Sequence, residues 1–91
     1  MRLDLFLKHA RILKRRSAAK EAAEGGRITV NGRPAKASRD VRPGDVVVVA
    51  EEGRPVLEVT LLREPLRPVP RGQEGDFFQV RLRKGAEEER W

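Results

Sequence analysis

The sequence predicts an α+β domain in which two short N-terminal helices pack on a small, mostly antiparallel, twisted β-sheet. Three observations carry that prediction. Leu3, Phe6, Leu7 and Ala10 recur at the i, i+3, i+4, i+7 spacing of one helical face. After Gly25-Gly26 the apolar period shortens to two, in Arg27-Ile28-Thr29-Val30 and again further along the chain. Between those segments lies Asn31-Gly32, the strongest short-range signal for a type I′ hairpin turn, because both central residues of that turn need positive φ.

The elements follow in order. The first helix is expected over about residues 3–10, and a connection over residues 11–16 leads to a second helix that ends before Gly25. Ser17 is the expected N-cap of the second helix, since a serine oxygen accepts from an otherwise unpaired N–H of the first turn. Gly25 or Gly26 can take the left-handed conformation that closes it. Its apolar face, Ala18, Ala19, Ala22 and Ala23, is small throughout, so a second backbone can approach closely. Pro34 restricts the chain after the hairpin to an edge strand or an irregular return. Residues 41–45 read as a turn that launches the apolar run 46–49, expected as a buried strand. The stretch Glu52-Gly53-Arg54-Pro55 is expected to turn the chain into a strand over residues 56–62. Residues 63–76, with three prolines and two glycines, read as a surface loop. A return strand is expected near residues 77–82, followed by a mobile acidic tail. The chain thus divides into a domain over residues 1–62 and an appended segment over residues 63–91.

Charge is distributed unevenly. The net charge is +6, and an isoelectric point of 10.7 makes a nucleic-acid partner a serious hypothesis. Residues 1–45 hold 12 Lys and Arg against 5 Asp and Glu, whereas residues 46–91 hold 8 against 9. Within the basic half, Lys14-Arg15-Arg16 stands directly before Ser17, at the start of the second helix. Helix starts carry unpaired N–H groups and a partial positive charge, so cations there are the wrong sign for helix stability. An external anion resolves the conflict. A phosphate group fits, because backbone donors, the Ser17 hydroxyl and guanidinium forks can converge on its oxygens.

Several classes are disfavoured. The chain has no cysteine, which excludes disulfides and thiolate metal sites, and His9 alone cannot build a metal site. No apolar run approaches the roughly 18 residues of a membrane span, and Arg2, Asp4 and Lys8 interrupt what a signal peptide would keep apolar, so a cytoplasmic protein without a membrane partner is expected. No Gly-rich phosphate loop or paired catalytic carboxylates are recognisable, so no catalytic residue, cofactor or metal is assigned. A monomer is expected.

The motifs are specific in combination. Arg2-Leu3-Asp4 through Leu7, Arg16-Ser17-x-Ala19-Lys20, Gly26-Arg27-Ile28-x-Val30-Asn31-Gly32 and Gly44-Asp45-Val46-x-Val48 resemble the RNA-binding domain first named from ribosomal small-subunit protein four, over roughly residues 1–50. The fold that this resemblance implies carries its RNA-binding surface, the αL motif, on the two helices. In many proteins the module accompanies a catalytic domain, for which 91 residues leave no room. The start Met-Arg-Leu-Asp, Leu13-Lys14-Arg15-Arg16, Ala19-Lys20-Glu21, Ala35-Lys36-Ala37-Ser38 and Asp40-Val41-x-Pro43-Gly44-Asp45 are similar to the RqcP family of ribosome-associated quality control, with the heat-shock protein fifteen family as its close relative. That resemblance implies binding to an obstructed large ribosomal subunit. Its partners would be large-subunit rRNA, the P-site peptidyl-tRNA that it stabilises, and a factor that extends the stalled chain with a C-terminal alanine tail. The alternatives are a heat-shock-protein-fifteen-like factor recycling large subunits that carry nascent chains, or a general rRNA-binding assembly factor. The acidic Glu87-Glu88-Glu89 favours the RqcP-like reading, since longer basic extensions tend to accompany the relative.

Roles follow for individual residues. Arg15 and Arg16, with Ser17, are assigned to rRNA phosphates, and Lys14 and Lys20 widen the same field. Arg2 and Asp4 match functional positions of the resembled family. Arg2 reaches RNA backbone if the two helix starts lie side by side, and Asp4 orients Arg2 or Lys8 or accepts from a base or ribose. Lys8 and Arg11 lie off the apolar face of the first helix and extend the surface, with Lys36 and Arg39 as peripheral contacts.

Overall fold

A computed structural model describes residues 1–83 of the chain. Helices α1 (Leu3–His9) and α2 (Arg16–Glu24) precede strands β1 (Ile28–Val30), β2 (Arg33–Pro34), β3 (Val46–Glu51) and β4 (Arg54–Leu61), then a one-turn helix α3 (Glu74–Phe77) and strand β5 (Phe78–Arg83). The strands form one sheet in the order β2-β1-β3-β4-β5, and every neighbouring pair is antiparallel. This is the α+β architecture that the sequence predicts. The acidic tail expected after β5 lies outside the described residues.

The core is continuous between the helices and one face of the sheet. Leu3, Phe6 and Leu7 of α1, Ala19 and Ala22 of α2, and Ile28, Val30, Val47, Val49, Leu57, Val59 and Leu61 of the strands are buried together. Phe6 meets Phe78 of β5 edge to face, with ring centroids 6.2 Å apart. Strand β3 is buried on one face only. Val47 and Val49 point inward while Val46 and Val48 stay partly exposed, so the four-valine run is an alternating antiparallel strand and not a strand buried on both faces.

Both helices end in Schellman motifs. At α2 the N–H of Arg27 bonds the Ala22 carbonyl at 2.9 Å, the N–H of Gly26 bonds Ala23 at 3.0 Å, and Gly26 supplies the left-handed turn at φ 75°. At α1 the equivalent bonds run from Ile12 to Leu7 and from Arg11 to Lys8, both at 3.0 Å, and the left-handed residue is Arg11, at φ 63°. An arginine there pays a conformational cost that glycine avoids, on the order of 1 kcal/mol.

The start of α2 corrects one expectation. Arg15, not Ser17, is the N-cap; its backbone is extended, no side chain caps the helix, and Ser17 is the second helical residue. The Asn31-Gly32 turn forms as expected, with φ 54° and 85°. Its asparagine also reaches outward, accepting from the Val46 N–H at 2.9 Å and donating to Asp45 Oδ1 at 3.1 Å, which ties the β1–β2 hairpin to the turn that launches β3. The β3–β4 turn is tighter than expected. It consists of Glu52 and Gly53, both at positive φ, and Arg54 already belongs to the strand.

Candidate nucleic-acid interface

The first turn of α1 is held by the segment before β3. The N–H of Leu3 donates to the Arg39 carbonyl at 2.8 Å and that of Asp4 to the Ala37 carbonyl at 3.0 Å, while the N–H of Val41 donates to Met1 at 2.8 Å. These donors are therefore satisfied within the chain. The start of α2 differs. The N–H groups of Ala18 and Ala19 bond the Arg15 carbonyl at 3.1 and 3.3 Å, but those of Arg16 and Ser17 have no acceptor among the described residues.

Asp4 joins the two helix starts. Its side chain is 7% exposed, and it accepts from two guanidiniums that are 54% and 45% exposed. Arg2 binds it as a fork, Nε to Oδ1 at 3.2 Å and Nη2 to Oδ2 at 3.1 Å. Arg16 reaches it with one nitrogen, Nη2, at 3.3 and 3.4 Å from the two oxygens, which leaves its Nε and Nη1 donors free of the carboxylate. Burial works to raise the Asp4 carboxyl, but hydrogen bonds from Arg2 and Arg16 together outweigh it and hold the group below the usual carboxylate range. Asp4 is thus ionised at neutral pH and fixes two cations of adjacent helices in one geometry.

Most of the expected site residues separate into two groups. Arg2, Lys20 and Lys36 line a cleft of about 580 Å³ with Ala23, Glu24 and Ser38, and Asp4 ties Arg16 to Arg2 beside it. Lys8, Arg11 and Lys14 instead line a second groove toward the C-terminal end of α1. Asp4 takes up Arg2 and Arg16 rather than Lys8. Arg15, Ser17 and Arg39 are exposed and line neither groove. Arg39 contributes its carbonyl to the start of α1, and its own N–H bonds Lys36 at 2.9 Å.

One cation of the second groove escaped the sequence reading. Arg71, in the loop before α3, faces Lys8, Arg11 and Lys14. Two long-range bonds, from Arg11 Nε to the Val69 carbonyl at 2.7 Å and from the Val69 N–H to the His9 carbonyl at 2.8 Å, hold that loop against the end of α1. His9 carries no chemistry that the geometry supports. Its Nδ1 is buried without a partner among the described residues, and burial, reinforced by Lys8 and Arg16, lowers its pKa, so the ring is neutral at physiological pH. Among the described residues no group of His, Asp or Glu is placed to hold a metal ion, and no helix is long and apolar enough to cross a membrane.

Comparison with known proteins identifies the family and the fold. The S4 domain family model matches residues 1–47, which contain α1, α2, the β1–β2 hairpin and the start of β3. An RQC P-site tRNA stabilizing factor of Halalkalibacterium halodurans is 50% identical over 68 residues, 74% of this chain and 77% of that protein. The Bacillus subtilis factor of the same name is 61% identical over 49 residues, which cover 54% of this chain and a little over half, 57%, of that relative's length. The trimeric structure of Vibrio cholerae Heat Shock Protein 15 shares the fold, with a TM-score of 0.77 at 24% identity over 99% of this chain and 90% of that one. Those relatives are named for stabilising a tRNA, not for a reaction. On these matches the chain belongs to the S4 domain family of RNA-binding modules, alongside the RQC P-site tRNA stabilizing factors.

Proposed function

We propose that this chain binds RNA of the large ribosomal subunit through its α1–α2 surface and stabilises peptidyl-tRNA in the P site of obstructed subunits. In that setting a partner factor adds a C-terminal alanine tail to the stalled chain, in the cytoplasm. The observation that carries the reading is Asp4, which holds Arg2 and Arg16 together at two helix starts while both guanidiniums stay about half exposed. Such a pair favours phosphate recognition, because its donors are fixed in advance and still open to the ligand. The free N–H groups of Arg16 and Ser17, the exposed Arg15, and Lys20 and Lys36 in the adjoining cleft add to the same positive field. Support for the ribosomal context comes from the names of the relatives.

The test is co-sedimentation with purified large subunits that either carry or lack peptidyl-tRNA. Preference for the loaded subunits is expected. Equal binding to both would replace the tRNA-stabilising role by a general rRNA-binding one, and binding to neither would remove the ribosomal assignment.

A further inference from the structure

A second basic groove lies apart from the Arg2 and Arg16 cleft. It has a volume of about 700 Å³ and lies between the C-terminal end of α1, the α1–α2 connection and the loop that precedes α3. Lys8, Arg11, Lys14 and Arg71 converge on it, and Leu13 and Pro68 supply apolar surface between them. Glu74 is its single acidic lining residue among the described residues, and one oxygen of that carboxylate accepts from the Gly72 N–H at 2.9 Å. None of the four cations is in an ion pair among the described residues. Glu74 offsets their mutual repulsion only in part, and an entering anion would relieve the rest.

The groove is also built. The sequence keeps Arg11 in a left-handed position that closes α1, where glycine would cost less, and uses its side chain to hold the loop through the Val69 carbonyl. Val69 is buried and returns a hydrogen bond to His9, so the loop is fixed at two points on the end of α1. That arrangement sets Pro68 and Arg71 opposite Lys8 and Lys14.

We propose that this groove binds the phosphodiester backbone of a second RNA segment, separate from the one held at Arg2 and Arg16. Four cations spread along a groove suit successive phosphates better than one isolated anion, and Leu13 and Pro68 offer apolar surface to riboses and base faces between them. The site lies at the opposite end of α1 from Asp4, and its far wall is outside the stretch that the S4 domain model matches. The seven-residue helix separates the two ends by about 10 Å. The inference rests on the large-subunit RNA reading above and extends it to two points of attachment.

The experiment measures binding of Arg71→Ala, Arg71→Glu and Arg16→Ala to purified large subunits across a salt series, on subunits with and without peptidyl-tRNA. Arg71 makes no hydrogen bond or ion pair among the described residues, so unchanged melting is expected and serves as the check on folding. Arg11 is left intact because it holds the loop. Arg71→Ala should lower the slope of log affinity against log salt by about one, so that the affinity ratio between 50 and 200 mM salt shrinks about fourfold, and Arg71→Glu should weaken binding further. A loss on both kinds of subunit identifies the segment as rRNA; a loss confined to loaded subunits identifies it as tRNA. Wild-type affinity and slope in both Arg71 variants, with Arg16→Ala weakened, would overturn the second site and leave the first. Failure of the wild-type protein to bind either subunit would overturn both.

Discussion

Replacing Arg2 and Arg16 by alanine, singly and then together, separates what Asp4 does for the fold from what the arginines do for RNA. Either single change leaves one guanidinium on the carboxylate, and the residue removed is about half exposed. Partly exposed ion pairs are worth little, so each single variant should lose less than about 1 kcal/mol of stability. The double variant differs in kind. Asp4, 7% exposed, would then keep its charge with no cation beside it, and an uncompensated buried charge costs about 3 kcal/mol. For a domain of this size that corresponds to a fall in melting temperature of about 12–24 °C, well beyond the sum of the single effects. Adding Asp4→Asn to the double variant should recover most of the loss.

The pH dependence supplies an independent readout, followed by circular dichroism during thermal unfolding. In the wild-type protein the folded carboxyl lies below its ordinary 3.8, so its contribution is complete above that value and is lost as pH falls through the lowered one. In the double variant burial acts unopposed and raises the carboxyl, so stability should instead increase as pH falls through the raised value. Additive single effects, or a double variant that melts with the wild-type protein at neutral pH, would refute the assignment of Asp4 as the buried anchor of both arginines.

Other outcomes follow from the packing and the turns. Ala19→Leu or Ala22→Leu should lower stability by about 1–3 kcal/mol in urea unfolding, because both alanines are buried between α2 and the rest of the core. Gly53→Ala should cost about 1 kcal/mol through conformation alone, since φ is 79° and, its chain neighbours aside, no heavy atom of the described residues lies within 4 Å of the added carbon; a cost above roughly 3 kcal/mol would mean that the turn is packed. Arg11→Gly removes the bond to Val69 and relaxes the left-handed strain at once. Its melting temperature should stay close to wild type while amide exchange at Val69 accelerates, measured by hydrogen exchange.

Much of the fold was legible because local signals agreed with the packing. Leu3, Phe6 and Leu7 share a face by spacing alone, and Asn31-Gly32 and Gly26 announce the positive φ values that the backbone adopts. Reading failed where no local signal existed. Ser17 has the chemistry of a cap, but the extended backbone belongs to Arg15, whose side chain makes no capping bond. Arg54-Pro55 reads as turn because proline disfavours a strand interior, yet the chain turns within Glu52 and Gly53 alone and Arg54 already belongs to β4. Helix α3 spans four residues, too few for a periodic pattern, inside a stretch that reads as loop. At the site, the cationic residue types were visible in the sequence and their division was not. Asp4 gathers Arg2 and Arg16 across twelve residues of chain, and Arg11 recruits the Arg71 loop across fifty-eight. Sequence separation of that size carries no local trace.

The central claim is that the Asp4-held arginines meet RNA phosphate. Its most direct test is the salt dependence of binding to loaded large subunits for the wild-type protein, Arg2→Ala and Arg16→Ala, each with its melting temperature measured in parallel. The predicted result is a slope shallower by about one in each variant at nearly unchanged melting temperature. Slopes and affinities equal to wild type in both variants would contradict it.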